Sequence, residues 1–351
     1  MVNRASFNPD EFYSRQIVLA ELGRRGQDRL RRSKVVIVGL GGLGSASALY
    51  LALAGVGYLR LVDQDTVELN NLHRQVLYSL DNLRYPKVEA AAQRIQEINP
   101  NVEVEPIPEN VRDGNAEEIV KGMDCVVDGL DNMGTRYLIN RICTKQKVPY
   151  VFGAAIGIEG NLSIFAPPET PCLECVLPGL DDSQLPTCQT RGVLGATTGI
   201  IGTMQAMESV KLLAGIGDSL KGKLMVCDFR DMYFTTINIF KKPGCPVCQG
   251  EIAEPVVGKE RLVWLCGRKT ANINPPKPID MELDEAHNRL KRHFKILIKS
   301  SLVIVFEYDG GVEVSLFRPG RMLIKNIEDE EAALKVYKDI INKLGVKMFV
   351  D

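Results

Sequence analysis

Four cysteines of this sequence fall in two Cys-x-x-Cys pairs, Cys172-Leu173-Glu174-Cys175 and Cys245-Pro246-Val247-Cys248. Each pair can put two thiolates on one ion while backbone amides support the sulfurs, and four thiolates complete a closed tetrahedral zinc site. The interval between the pairs is far longer than in a zinc ribbon, so the Zn2+ would tie the loop after one strand to the end of a domain. Its expected role is structural, with no open position for catalysis. A redox dithiol or plain core cysteines are the alternatives, but a redox pair does not explain why two pairs occur, both beside prolines.

A second group lies nearer the N-terminus. Gly39-Leu40-Gly41-Gly42-Leu43-Gly44 follows an apolar run, Ser33 to Gly39, and precedes an Ala-rich one, Ser45 to Ala54. In a strand, turn, helix context, such glycines let the backbone approach phosphate oxygens while the helix N-terminus faces them. Asp63 ends the next strand, nineteen residues after Gly44, where a carboxylate can take a ribose hydroxyl. That much fits any Rossmann-like nucleotide binder, a nicotinamide dehydrogenase included. Arg74 and Lys87 shift the reading. A nicotinamide enzyme has no leaving group to neutralise, whereas an adenylyltransferase must stabilise departing pyrophosphate, and two cations near the phosphates are then expected. Asp131, just past the strand ending at Asp128, stands where α/β sheets place ligand-binding groups. A carboxylate there can hold the Mg2+ that bridges phosphate oxygens.

Cys188, in Pro186-Thr187-Cys188-Gln189-Thr190, ends a polar loop running from Leu177 and precedes a helix. A thiol near a helix start can be a better nucleophile, or simply a partly buried cysteine. Cys125, Cys143 and Cys227 fall in expected strands or helices and read as core. Cys266 reads as structural, because the tail is too short for a rhodanese domain. His73, His287 and His293 offer no catalytic pairing.

These residues need elements to hold them, and the chain supplies an alternation. A helical stretch over Phe12 to Leu30 comes first. Strands are expected at 33–39, 59–62, 102–107, 125–128 and 151–153, with helices at 45–54, 87–98, 116–121, 135–146 and 199–214. Such regularity predicts an α/β, Rossmann-like fold with a mostly parallel sheet covered by helices. Composition shifts near Ala253. The remainder reads as a small C-terminal α+β domain: a strand at 261–265, a helix at 281–293, three strands divided by Asp309-Gly310-Gly311 and Pro319-Gly320, and a last helix at 329–344. The expected domains are therefore 1–252, with its zinc-stapled end, and 253–351.

The 351 residues carry 45% apolar and 25% charged side chains with a formal charge of −1, which gives no bias towards nucleic acid. No apolar stretch approaches the roughly 18 to 20 residues that span a bilayer. Met1 to Glu11 lacks the basic end and apolar run of a secretory signal, so a cytoplasmic protein is expected. Nine cysteines in such a chain argue for metal or thiol chemistry over a disulfide framework.

Gly39 to Gly44, Asp63 to Gln75, Pro86-Lys87 and Asp131-Asn132 together resemble the ubiquitin-activating enzyme superfamily, in particular its small molybdopterin-synthase and thiamine-biosynthesis adenylyltransferases. The resemblance covers residues 12 to 250 and implies that Asp63 binds the ribose of ATP, that Asn71, Arg74 and Lys87 hold the triphosphate, and that Asp131 organises magnesium. It also draws Asp65, Asn70, Gln75 and Asn132 into the nucleotide site. Arg15 matches an arginine donated to the partner subunit's ATP, which implies a homodimer. Cys188 matches a position that carries an acyl-accepting or persulfide cysteine in some members only, and zinc at the paired cysteines is implied as well.

The reaction implied is activation of the C-terminal glycine of a small β-grasp, ubiquitin-like or sulfur-carrier protein ending in Gly-Gly. Its carboxylate attacks the α-phosphate of ATP, pyrophosphate leaves, and an acyl-adenylate remains for Cys188 or an external sulfur donor. The carrier could serve molybdopterin, thiamine or tRNA thiolation, or be a protein modifier, and the residues do not choose among them. The rivals are an NAD-dependent oxidoreductase, which leaves Arg74, Lys87 and the cysteine pairs unexplained, and a non-catalytic scaffold, for which Asp131 or Arg74 would be missing.

Overall fold

A computed structural model describes residues 7–185, 190–251, 262–265, 269–275, 279 and 281–345. The chain forms two compact units, Met1–Gln64 with Glu68–Asn82 and Lys87–Pro255, and Val256–Asp351 with the short pieces Asp65–Val67 and Leu83–Pro86. The boundary expected at 252/253 lies outside the described residues.

In the first unit, three short helices, α1 (Pro9–Phe12), α2 (Ser14–Ile17) and α3 (Gly23–Arg32), replace the helix expected over Phe12 to Leu30. Gly23 at φ +58° interrupts it, and Val18 and Leu19 within that stretch are 77% and 53% exposed. The expected alternation then follows: β1 (Lys34–Val38), α4 (Gly42–Ala54), β2 (Tyr58–Val62), α5 (Lys87–Ile98), β3 (Glu103–Ile107), α6 (Asp113–Val120), β4 (Cys125–Asp128), α7 (Met133–Gln146) and β5 (Tyr150–Ile156). These strands lie parallel in the order β3-β2-β1-β4-β5. Val35 to Val38 and Cys125 to Asp128 are buried throughout, as strands covered on both faces must be, which is why they read as unbroken apolar runs.

The sheet does not stop there. β6 (Glu159–Phe165), then α8 (Leu173–Val176), α9 (Gly195–Ala214), β7 (Lys223–Asp228), β8 (Tyr233–Asn238) and α10 (Pro246–Gln249) complete the unit. β6, β7 and β8 extend it antiparallel beyond β5. Sequence reading gave no strand for any of the three. Helices α4 and α9 approach closely enough for Ser47 Oγ to donate to the Gly202 carbonyl at 2.9 Å.

The second unit is an antiparallel sheet of β9 (Leu262–Leu265), β10 (Thr270–Ile273), β11 (Lys295–Lys299), β12 (Val303–Glu307), β13 (Glu313–Phe317) and β14 (Met322–Lys325), in the order β11-β12-β13-β14-β10-β9. Helices α11 (Leu283–Leu290) and α12 (Glu330–Lys343) bury Leu290 and Ile340 with Ile304, Phe306, Leu316 and Ile324 in its core. The first of the three strands expected here is two, β11 and β12, and β10 was not anticipated. Within this unit Thr66 bridges Pro86, Lys325 Nζ donates to Thr66 Oγ1 at 2.8 Å, and Arg84 pairs with Glu313 at 2.7 Å. Among the described residues no helix is long and apolar enough to cross a membrane.

Candidate functional site

The glycine loop closes over the carboxyl end of β1. Gly39, at φ +87°, donates its N–H to the Val62 carbonyl at 2.8 Å. A β-carbon at Gly39 would fall 2.5 Å from the Gly129 carbonyl oxygen, and one at Gly44 1.8 Å from the Gly39 oxygen. The loops after β1 and β4 therefore touch backbone to backbone, and only glycine permits it. Gly41 then caps α4, whose first residue is Gly42.

Asp63 serves this loop before it serves any ligand. Its Oδ2 accepts the Leu40 N–H at 2.7 Å, and its Oδ1 lies 4.0 Å from Lys87 Nζ. Lys87, the first residue of α5, is only 3% exposed, a burial that an ammonium tolerates when anionic or polar partners replace water. A loop of phosphate-binding type, a carboxylate and a buried cation thus form one connected group.

The segment 68–75 folds onto the same loop. Asn71 is fully buried; its Oδ1 accepts the Glu68 N–H at 3.2 Å and its Nδ2 donates to Asn70 Oδ1 at 2.9 Å. Asn71 is thereby committed largely to shaping the turn. Arg74 donates to the Asn70 carbonyl at 2.6 Å and lies 2.9 Å from His73 Nε2. A β-carbon at Gly195 would come 2.4 Å from the His73 oxygen, and one at Gly41 would lie 4.0 Å from Gln75 Nε2, so Arg74, Gln75, the glycine loop and the start of α9 converge. Gln75 Oε1 is a buried acceptor without a hydrogen-bond partner among the described residues, a group that a bound ligand or water beside Gly41 would satisfy. Asp65 is half-buried, in the short piece that belongs to the second unit.

Asp131 is exposed at the turn between β4 and α7. Asn132 is the N-cap of α7, its Oδ1 accepting the Thr135 N–H at 2.9 Å, so a structural duty accounts for that oxygen. Beneath the turn lies a network that sequence reasoning missed. Buried Asp128 accepts from the Leu130 N–H at 2.8 Å, from Arg136 Nε at 3.0 Å and from the Tyr150 hydroxyl at 2.8 Å. Arg136 Nη2 also donates to the Leu130 carbonyl at 2.7 Å and to Gly153 at 2.8 Å. Both ends of residue 130 are gripped by one buried ion pair, and the next residue is Asp131. Burial pushes the Asp128 carboxyl above its ordinary value, opposed chiefly by the Arg136 charge, while burial raises the Tyr150 hydroxyl well above its own. A charged Arg136 on a helix otherwise apolar at Leu138, Ile139 and Ile142 was the available signal.

The paired cysteines meet. Sγ separations are 3.8 Å for Cys172–Cys175, 3.7 Å for Cys172–Cys245 and 3.5 Å for Cys175–Cys248, and all four sulfurs lie within 4.8 Å of one another. Tetrahedral zinc with sulfurs at about 2.3 Å requires edges of about 3.8 Å, so the donor set fits that ion. Cys125, Cys143 and Cys227 are buried, as expected of core thiols, and burial pushes Cys125 up to about 12. Cys188 and Cys266 lie outside the described residues. Arg15 is exposed on α2, where its neighbour Gln16 bonds the Ala54 carbonyl at the far end of α4; at 1.5 Å per residue that end is roughly 18 Å from the glycine loop. The structure does not bring Arg15 to its own chain's loop.

Residues 13–247 match the ThiF family. Over 237 residues the chain is 44% identical to the SAMP-activating enzyme E1 of Haloferax volcanii, covering 67% of this chain and 87% of that protein. It is 39% identical over 295 residues to the adenylyltransferase and sulfurtransferase MOCS3 of Drosophila sechellia, covering 83% of this chain but only 64% of the fly protein. The chain thus spans less than two thirds of that relative. Among solved structures, Escherichia coli MccB with ATP aligns with a TM-score of 0.56 at 23% identity, over 64% of this chain and 68% of that one, a likeness of fold. PaaA aligns with a TM-score of 0.58 at 27% identity, over 69% of this chain and 79% of its own. With a connected glycine loop, carboxylate and buried lysine inside the matched span, the chain belongs to the ThiF family and is an adenylyltransferase of the E1-like type.

Proposed function

We propose that the protein adenylates the C-terminal glycine carboxylate of a ubiquitin-like or sulfur-carrier protein of β-grasp fold. The observation that carries this reading is Lys87, buried 4.0 Å from an aspartate that also holds the glycine loop. A lysine ammonium built into the phosphate-binding group suits a reaction that expels pyrophosphate, and hydride transfer has no use for it. The names of the Haloferax and fly relatives support the same class of substrate.

In this reading Asp63 binds the ribose through the capacity left by Leu40 and Lys87, and Gly39 to Gly44 present amides to the phosphates. Lys87 and Arg74 neutralise charge that builds on the leaving pyrophosphate. Gln75, Asn70 and Asn71 shape the wall, with Asn132 capping α7 beside it. No general base is required, because the attacking carboxylate is already ionised at neutral pH; catalysis reduces to positioning and neutralisation. The exposed carboxylate of Asp131 fits magnesium, which takes one or two carboxylates and keeps its remaining positions for water and phosphate oxygens. When bound, that ion supplies further neutralisation of phosphate charge. Arg15, remote from its own loop, would serve a second copy's nucleotide in a homodimer, and zinc at the four cysteines would staple the end of the first unit. In a later step the Cys188 thiol would take the acyl group from the adenylate as a thioester, with AMP leaving and the thiol proton lost to solvent.

The test is ATP–pyrophosphate exchange with a panel of purified carriers: a molybdopterin-synthase small subunit, a thiamine sulfur carrier, a tRNA-thiolation carrier and a protein modifier. Exchange stimulated by at least one intact carrier, and lost when its terminal glycine is removed, is expected. Exchange indifferent to that glycine would exclude this reading.

A further inference from the structure

The segment that starts within the first cysteine pair is pinned along α7 at successive turns. Leu173 N–H donates to Asn140 Oδ1 at 2.9 Å, and Glu174 takes two bonds from Arg141 at 2.8 and 3.1 Å. One turn towards the helix start, the Tyr137 hydroxyl donates to the Leu177 carbonyl at 2.7 Å and accepts the Leu180 N–H at 2.8 Å. At the start itself, Asp182 Oδ1 accepts the Met133 N–H at 2.6 Å and Oδ2 the Gly134 N–H at 3.0 Å. A strap running antiparallel to α7 therefore ends on the first turn of the helix that begins just after Asp131.

We propose that Asp182 is a positioning residue for adenylation, holding the turn that carries Asp131 and sparing Asp131 from capping its own helix. The first amides of a helix have no partner within it. Here Asn132 satisfies Thr135 and Asp182 satisfies Met133 and Gly134. Without Asp182, two amides at the positive end of the helix dipole lose their acceptors, and Asp131, two residues before Met133, is the carboxylate nearest in sequence to replace it. A carboxylate turned back onto its own helix is withdrawn from the cation and phosphates it would otherwise meet. Asp128 and Arg136 fix the same turn from the sheet side through residue 130, so Asp182 is the hold from the outer side.

The role assigned to Asp131 rests on the adenylation reading, and the experiment separates the two. Asp182→Ala, Asp182→Asn and, as a control, the exposed Asp231→Ala are compared in carrier-stimulated exchange over a Mg2+ titration, and by hydrogen exchange at Met133 and Gly134 in the absence of carrier. Asp182→Ala is expected to lower kcat and raise the Mg2+ concentration for half-maximal rate, each about tenfold, as small displacements of a working group do. Asp182→Asn, which keeps one acceptor, should recover part of both, and Asp231→Ala should match wild type. Protection at Met133 and Gly134 should fall in Asp182→Ala. Unchanged protection at both amides overturns the proposal whatever the rates, and so does lost protection with an unaltered Mg2+ titration. Wild-type protein inactive with every carrier would instead count against the adenylation reading and leave the amide measurement to decide the hold.

Discussion

The two halves of the large sheet are built on different terms. In the parallel half, β1 and β4 are buried along nearly their whole length, and the loops at their carboxyl ends carry Gly39 to Gly44 and Asp131. In the antiparallel half, the last strand β8 is exposed at almost every position, with Tyr233 61% and Ile237 48% exposed. A cysteine cluster draws the segments after β6 and β8 together. The first half is held by a covered sheet, where a lesion at the loops should remove chemistry and leave the fold. The second has a poorly covered margin, where a lesion at the cluster should remove stability first.

Asp131→Ala is the sharpest test of that division. Loss of the carboxylate proposed to hold the cation should cut carrier-stimulated exchange by about 10²- to 10³-fold, the range seen when one stabilising group is removed. As an exposed residue it should alter unfolding free energy by no more than about 0.5 kcal/mol. Exchange at the wild-type rate would refute the assignment, and a large loss of stability would erase the contrast between halves. Arg136→Ala, five residues on, should cost stability as well. It leaves Asp128 charged or protonated without its buried partner, and denaturant unfolding should report a loss of about 3–5 kcal/mol. A smaller loss would mean that the network under the turn is not what holds it.

Cys172→Ser examines the other half. Zinc content by metal analysis should fall and Tm should drop by several degrees, about what 1–2 kcal/mol produces in a domain of this size, with exchange per folded molecule within a few-fold of wild type. Unchanged zinc on purified variant protein would refute the site.

How much of this could be read beforehand follows the same division. Continuous apolar strands such as Val35 to Val38 and regular helices such as Lys87 to Ile98 announce themselves, because burial on two faces or on one stripe writes a period into the sequence. β8, Tyr-Phe-Thr-Thr-Ile-Asn, has no buried face to write one, and among the described residues it pairs with β7 alone. The site was legible where a residue type is unusual for its place: glycines between strand and helix, Lys87 opening a helix, cysteines in pairs. Asp128, Arg136 and Asp182 escaped because an ion pair beneath a turn and a cap supplied from 49 residues away depend on tertiary neighbours. Asn132 shows the converse, since a residue placed with the nucleotide group by resemblance has its carbonyl oxygen spent on a helix cap.

The smallest effect on adenylation should come from Cys188→Ala. Attack by the carrier's carboxylate on the α-phosphate uses no thiol, so exchange should stay within about twofold of wild type, since a group outside the adenylation step gives it no differential stabilisation. A conjugate sensitive to thiol reagents, detected by non-reducing gel after incubation with carrier and ATP, should form with the wild type and be absent in the variant. If the conjugate survives, another thiol accepts the acyl group; Cys125 and Cys143 are poor candidates, because each is fully buried and held protonated by that burial. If exchange falls in step with the conjugate, the thiol acts within the adenylation step, and chemistry is not confined to the loops of the parallel half.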